Sequence, residues 1–101
     1  MLDITTLTFI SVAQFLHQNQ FLRVATSEEG HKVLVFQSYA TTIAYFDTET
    51  HDLVINWDKW DCSKTTLYHF SKFIELLTPY TYENRIQFAK EIKNNPKIHT
   101  Y

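Results

Sequence analysis

The spacing of apolar residues changes twice along this chain, and this change limits the folds that it can form. Four short runs rich in β-branched and aromatic residues occupy the middle of the sequence, as is typical of strands. Before and after them, apolar residues recur every three to four positions, as on one face of a helix. A run of strands that is followed by helices predicts an α+β domain.

We predict an N-terminal helix, an antiparallel sheet of three to four strands, and two C-terminal helices packed on the sheet. The first helix is expected over residues 7–19, and its apolar stripe is Phe9, Val12, Ala13 and Leu16. The strands are expected at 21–25, 31–38, 42–46 and 53–57. The last two helices are expected at 64–77, capped by Ser63, and at 82–94, capped by Thr81.

The length and the cysteine content indicate one intracellular domain. A chain of 101 residues is long enough for a single domain over residues 1–101 and too short for two. Cys62 is the only cysteine, which excludes an intramolecular disulfide and fits a reducing compartment. The chain shows neither the regions of a signal peptide nor a stretch of about 20 apolar residues. We therefore expect a cytosolic protein that does not contact a membrane.

The scarcity of glycine argues against catalysis. Gly30 is the only glycine, and loops that cradle phosphates need several. A nucleophilic pair of Cys62 and His69 would need an oxyanion hole, for which such a chain offers few places. Asp58 and Asp61 can in principle act as an acid–base pair, but acids before a helix ordinarily interact with the helix dipole. We expect that the protein is not an enzyme.

Cys62 and His69 form the one cluster of soft ligands in the sequence that suggests a metal. Structural zinc sites take four ligands, so another element would have to supply further ligands, for which His51 and Asp58 are candidates. The alternative is a half-buried thiol beside a surface or capping imidazole. We expect no required cofactor, and zinc at Cys62 and His69 is the alternative.

Charge is unevenly distributed, although the net charge is only −2. An acidic segment, residues 47–61, carries five carboxylates and one lysine, interleaved with two tryptophans. Such a surface can resemble a phosphate backbone, and aromatic residues are favoured anchors of interfaces. The alternative is a solvated turn with its tryptophans in the core. The predicted partner-binding residues are Asp47, Glu49, Asp52, Trp57, Asp58, Trp60 and Asp61.

The end of the chain is basic and supports a second hypothesis. Its four cations, against the single acid Glu91, are Arg85, Lys90, Lys93 and Lys97. A basic helix can bind the phosphates of a nucleic acid, or it can be a solvated face that complements the helix dipole. A small regulator that binds nucleic acid is therefore the alternative to a protein-binding function.

Residues 60–69 carry the pattern W-D-x-S-x-T-T-x-x-H, which begins at Trp60 and ends at His69. Together with the predicted strand at 41–47, this pattern resembles a family of small bacteriophage proteins over about residues 24–73. Within the pattern, Ser63 can cap a helix and Trp60 can pack outside the cap.

This resemblance implies a phage protein of the kind that blocks host defence. Anti-CRISPR proteins against Cas9-type nucleases are the best-known members of that class. These nucleases hold the guide RNA and the target DNA in positively charged channels, and a dense acidic surface is complementary in charge to such a channel. The resemblance therefore implies an inhibitor that binds a CRISPR-associated nuclease stoichiometrically in the host cytoplasm.

Overall fold

A computed structural model describes residues 2–101, which form a six-stranded sheet with two helices against one face. The elements in chain order are β1 (Thr8–Phe15), β2 (His17–Thr26), β3 (Lys32–Ser38), β4 (Thr41–Asp47), β5 (Leu53–Ile55), α1 (Lys64–Leu77), α2 (Arg85–Asn94) and β6 (Ile98–Thr100). The strands lie side by side in this order, and β1 to β5 pair antiparallel. β6 pairs parallel with β5, so α1 and α2 form the crossover that a parallel pair needs.

The predicted N-terminal helix is wrong, because these residues form the β1–β2 hairpin. The supposed apolar stripe faces solvent, with Val12 exposed to 61% and Leu16 to 57%. Leu16 has a φ of 65° at the point where the chain reverses. β2 then pairs with β3 over its whole C-terminal part, from Gln20 to Thr26. Pairing with the sheet therefore overrides the helical spacing.

The predicted size of the sheet is also wrong, since the sheet has six strands and is mixed rather than purely antiparallel. β1 is one of the missed strands. β6 is the other, and its three residues are too few to produce a periodic signal. The last predicted strand is shorter than expected, because β5 ends at Ile55 and Trp57 lies in the following turn.

Both predicted C-terminal helices are present. α1 has the predicted bounds, and its N-cap Ser63 accepts a hydrogen bond of 3.1 Å from the backbone N–H of Thr66. α2 begins at Arg85, later than predicted, because Asn84 rather than Thr81 is its N-cap. Neither helix among residues 2–101 has the length and apolar character needed to span a membrane.

The two faces of the sheet bury different clusters. The helix-facing core consists mainly of aromatic and branched residues: Phe15, Phe36, Ile43, Phe46, Leu53, Ile55, Trp60, Phe70, Phe73, Ile74, Phe88, Ile92 and Ile98. The opposite face carries a smaller cluster, which the N-terminal residues Leu2, Ile4 and Leu7 cover: Ala25, Val33, Val35, Tyr45 and Val54. Because both faces of the sheet are covered, β3 to β5 are held in place. The turns between these strands therefore have defined positions.

Candidate functional site

The acidic segment divides into two groups at β5. The group before β5 lies at the β4–β5 turn and contains Asp47, Glu49 and Asp52. The group after β5 lies in the connection to α1 and contains Trp57, Asp58, Trp60 and Asp61. Three residues of extended strand, roughly 10 Å, separate the two groups. The predicted partner-binding residues therefore lie in two groups, one at each end of β5.

The β4–β5 turn lies beside the β2–β3 turn, residues 27–31, because alternate turns of an antiparallel sheet occupy the same end. His31 joins the two turns: its Nδ1 lies 2.9 Å from Asp47 Oδ2 and its Nε2 lies 3.6 Å from Glu49 Oε2. Glu29 lines the same small cavity as His31 and Asp47. The carboxylates of the two turns, here called the acidic end, are Glu28, Glu29, Asp47, Glu49 and Asp52.

Asp47 organises its turn rather than presenting a charge to solvent. It is only 2% exposed, and its Oδ1 accepts hydrogen bonds from the backbone N–H groups of Glu49 and Thr50. Burial raises the pKa of Asp47, but the hydrogen bonds from His31 and from the two amides outweigh this effect and lower the pKa overall. Asp47 is therefore an ionised carboxylate that closes the turn.

Asp52 is also engaged inside the protein. It is 7% exposed, and its Oδ1 lies 3.3 Å from His99 Nε2 on β6. Its Oδ2 accepts a hydrogen bond of 2.9 Å from the hydroxyl of Thr50. The outward carboxylates of the acidic end are therefore Glu28, Glu29 and Glu49, and the side chain of Glu49 is 60% exposed. The prediction from sequence included Glu49 but missed Glu28 and Glu29.

The His31–Asp47 pair predicts a specific pH dependence of stability. The hydrogen bond with Asp47 raises the pKa of His31 above 6.5, reinforced by the charges of Asp47, Glu49 and Glu29 and opposed by desolvation. A raised histidine pKa contributes stability that is complete below 6.5 and is lost as the pH rises through the folded value. The lowered pKa of Asp47 contributes stability above 3.8, which is lost as the pH falls through its folded value.

We therefore expect His31→Gln to lower the melting temperature most between pH 3.8 and 6.5, where both partners are charged. Toward about pH 9 the difference between variant and wild type should shrink, because wild-type His31 becomes neutral. Thermal unfolding of both proteins, followed by circular dichroism across this range, measures the effect. A difference that does not change with pH would contradict the ion pair.

The group after β5 is mostly structural. Trp60 is 1% exposed and packs between Phe70 and Phe88, with ring centroids 5.4 and 5.9 Å away. Asp61 Oδ2 lies 3.2 Å from the guanidinium of Arg85 at the start of α2. Trp57, which is 42% exposed, and Asp58 are the members that face solvent. The position of Trp60 therefore agrees with the alternative interpretation of the acidic segment, in which its tryptophans lie in the core.

The predicted zinc ligands are Cys62 and His69, and the ring of His17 lies 5.9 Å from the ring of His69. The ring of His69 is largely buried, and its Nδ1 lies 2.8 Å from the carbonyl oxygen of Thr65. Cys62 is an exposed thiol, and the ring of His51 stacks on Phe46 at 5.8 Å. Within residues 2–101, no three side chains of His, Cys, Asp or Glu form a group that could hold a metal ion.

All four cations of the basic end are exposed side chains. Arg85 is engaged by Asp61, while the others, Lys90, Lys93 and Lys97, face solvent. Lys93 lines a shallow surface cavity together with the exposed Trp57.

Comparison with known proteins identifies a family but no activity. The model of a family of unknown function, DUF8033, matches residues 8–94. This region extends from the start of β1 to the end of α2 and contains the whole acidic end. No curated protein and no solved structure matches the chain.

Proposed function

The chain belongs to the family of unknown function DUF8033, and we propose that it is a non-catalytic inhibitor that binds a host nuclease through its acidic end. The observation that carries this proposal is the convergence of two turns, 27–31 and 47–52, which brings five carboxylates to one end of the sheet. The function is therefore assigned to stoichiometric binding of a positively charged protein surface.

The acidic end is preorganised for such a contact. Asp47 and Asp52 hold the β4–β5 turn from inside, so the outward Glu49 is carried on backbone that does not have to order on binding. Lys32 and Lys97 border this end through backbone hydrogen bonds to Thr48 and Leu53. The three outward glutamates against these two lysines leave a net negative surface. Such a surface steers association with a basic partner and makes it sensitive to salt.

The resemblance of the 60–69 pattern to small phage proteins supports a defence nuclease as the partner. Cas9-type nucleases hold guide and target in positively charged channels, so a compact acidic domain can compete with nucleic acid there. The host cytoplasm is the compartment in which such an inhibitor acts.

Cleavage by a purified Cas9-type nuclease tests this proposal. The protein is titrated into guide-loaded nuclease before target DNA is added, and cleaved product is quantified. We expect cleavage to be lost at equimolar protein and to recover as the salt concentration rises. Target DNA that is bound first should protect the nuclease, because the acidic end and the phosphates compete for one channel. Full cleavage at a large molar excess of the protein would contradict a nuclease of this class as the partner.

The alternative function, a nucleic-acid-binding regulator, rests on the exposed lysines at the basic end and on the position of Trp57 beside Lys93. An aromatic ring next to a cation is a common arrangement for single-stranded nucleic acid. A mobility-shift assay at low salt, with single-stranded and duplex probes, separates the two functions. A shift of either probe, without inhibition of the nuclease, would favour the regulator.

A further inference from the structure

β1 is an edge strand whose outer side is open along its eight residues. β2 pairs with one side only, so no strand in the described part of the chain, residues 2–101, lies beside the outward N–H and C=O groups of β1. Seven of the eight residues are exposed, among them three large apolar side chains. Their exposed fractions are 40% for Phe9, 67% for Ile10 and 61% for Val12.

β1 lacks the charged residues and the proline that usually protect an edge strand. Proteins ordinarily block such edges with lysine, proline, short length or strong bulges. The sequence from Ile4 to Leu22 contains no Asp, Glu, Lys, Arg or Pro. Two register shifts interrupt the pairing, one at Ile10 and one between Gln14 and Phe15, and the ladder is regular from Ser11 to Gln14. The opposite edge of the sheet differs, because β6 has only three residues and directly follows Pro96 and Lys97.

We propose that β1 pairs antiparallel with β1 of a second copy of this chain, about a two-fold axis near Val12. The occupant must be a strand, because the open groups are backbone donors and acceptors. A two-fold pairing places β1 of one copy opposite β1 of the other. Because β1 carries no charged residue, no like charges face each other in this pairing, so a second copy fits. The two six-stranded sheets then form one continuous sheet.

The pairing closes as a dimer and is centred away from the β4–β5 turn. A two-fold contact uses the same surface on both copies, so no open edge of comparable length remains to extend the assembly. The strand order places β1 at the far edge from β4 and β5, whose turn carries Asp47 and Glu49, whereas Thr8 at the start of β1 pairs with Thr26 beside the turn that carries Glu28 and Glu29. The dimer therefore does not depend on the proposed inhibitor function.

Sedimentation equilibrium of the wild-type protein and of Val12→Lys tests this pairing. The wild type should have twice the chain mass of 12.0 kDa, and Val12→Lys should have the mass of one chain. The matched control is Ile86→Lys on α2, where the native side chain is 65% exposed, and this variant should remain dimeric. Val12→Glu should also be monomeric alone and should form a mixed dimer with Val12→Lys.

Hydrogen exchange of the wild type gives a second test that needs no variant. Some backbone amides between Ser11 and Gln14 do not bond to β2, and these amides should be protected from exchange in the dimer. They should exchange rapidly when the protein is diluted below the dissociation constant of the dimer. A monomeric wild type at millimolar concentration would overturn the proposal. A dimer that Val12→Lys leaves intact, or β1 amides that exchange rapidly in the dimer, would overturn it as well.

Discussion

Replacement of Trp60 with alanine should lower the free energy of unfolding by about 3–5 kcal/mol, the usual range for removing a buried aromatic side chain. Replacement of Trp57 should lower it by less than about 1 kcal/mol, as is typical of surface positions. Trp60 is 1% exposed and contacts Phe70 and Phe88, so its removal leaves a cavity between the sheet and both helices. Trp57 is 42% exposed and its removal leaves no such cavity.

Urea unfolding of the two variants measures this difference. A domain of this size is typically stable by about 5–15 kcal/mol, so Trp60→Ala removes a large part of the total. Trp60→Phe is the conservative control and should recover part of the loss, because a smaller ring still fills part of the space. Equal losses for Trp57→Ala and Trp60→Ala would contradict the placement of Trp60 in the core.

Helix α1 and three of the strands were predictable because their sequence signals are local. Ser63 caps α1 through a hydrogen bond three residues along the chain, and the apolar stripe of the helix follows within it. The predicted strands at 21–25, 31–38 and 42–46 also lie within β2, β3 and β4 or extend them by a single residue. Each of these signals depends on residues that are close in sequence.

The N-terminal hairpin was not predictable from spacing, because the same residues fit two structures. Phe9, Val12 and Leu16 have helical spacing, yet β-branched and aromatic residues also favour strands. The spacing of a half-buried helix implies that its stripe is buried, whereas these three side chains are exposed. The strand is stabilised by the pairing of β1 with β2 and of β2 with β3. A local sequence pattern does not show this pairing.

The candidate site was predictable in its location but not in its composition. A density of carboxylates marks the segment around Asp47, but sequence does not show which of them turn inward. Asp47 turns inward because two backbone amides and His31 bind it, and Asp52 turns inward toward Thr50 and His99. Glu29 joins the site only because two hairpin turns share one end of the sheet.

Charge reversal at the acidic end should abolish binding to a Cas9-type nuclease while leaving the fold intact. The variant is Glu29→Lys with Glu49→Lys, which reverses two outward carboxylates and leaves the inward Asp47 and Asp52 in place. Like charges placed across an interface cost several kcal/mol, so affinity should fall by about 100-fold or more. The melting temperature should fall only slightly, because both native side chains are exposed and their interactions with His31 are screened by solvent.

The matched control places the same charges elsewhere on the surface. Glu75→Lys with Glu83→Lys changes two exposed glutamates on α1 and just before α2. Both double variants change the net charge from −2 to +2, since each substitution adds two positive units. Any difference between them therefore reports the position of the charge and not its total. A third variant, Asp58→Lys, tests whether the connection after β5 contributes to binding.

Calorimetric titration of the nuclease with these proteins at low and high salt tests the central claim most directly. We expect the wild type and the Glu75/Glu83 variant to bind at low salt and to lose affinity together as salt rises. The Glu29/Glu49 variant should show no measurable binding at either concentration. Equal affinity of the two double variants would contradict the acidic end as the binding surface.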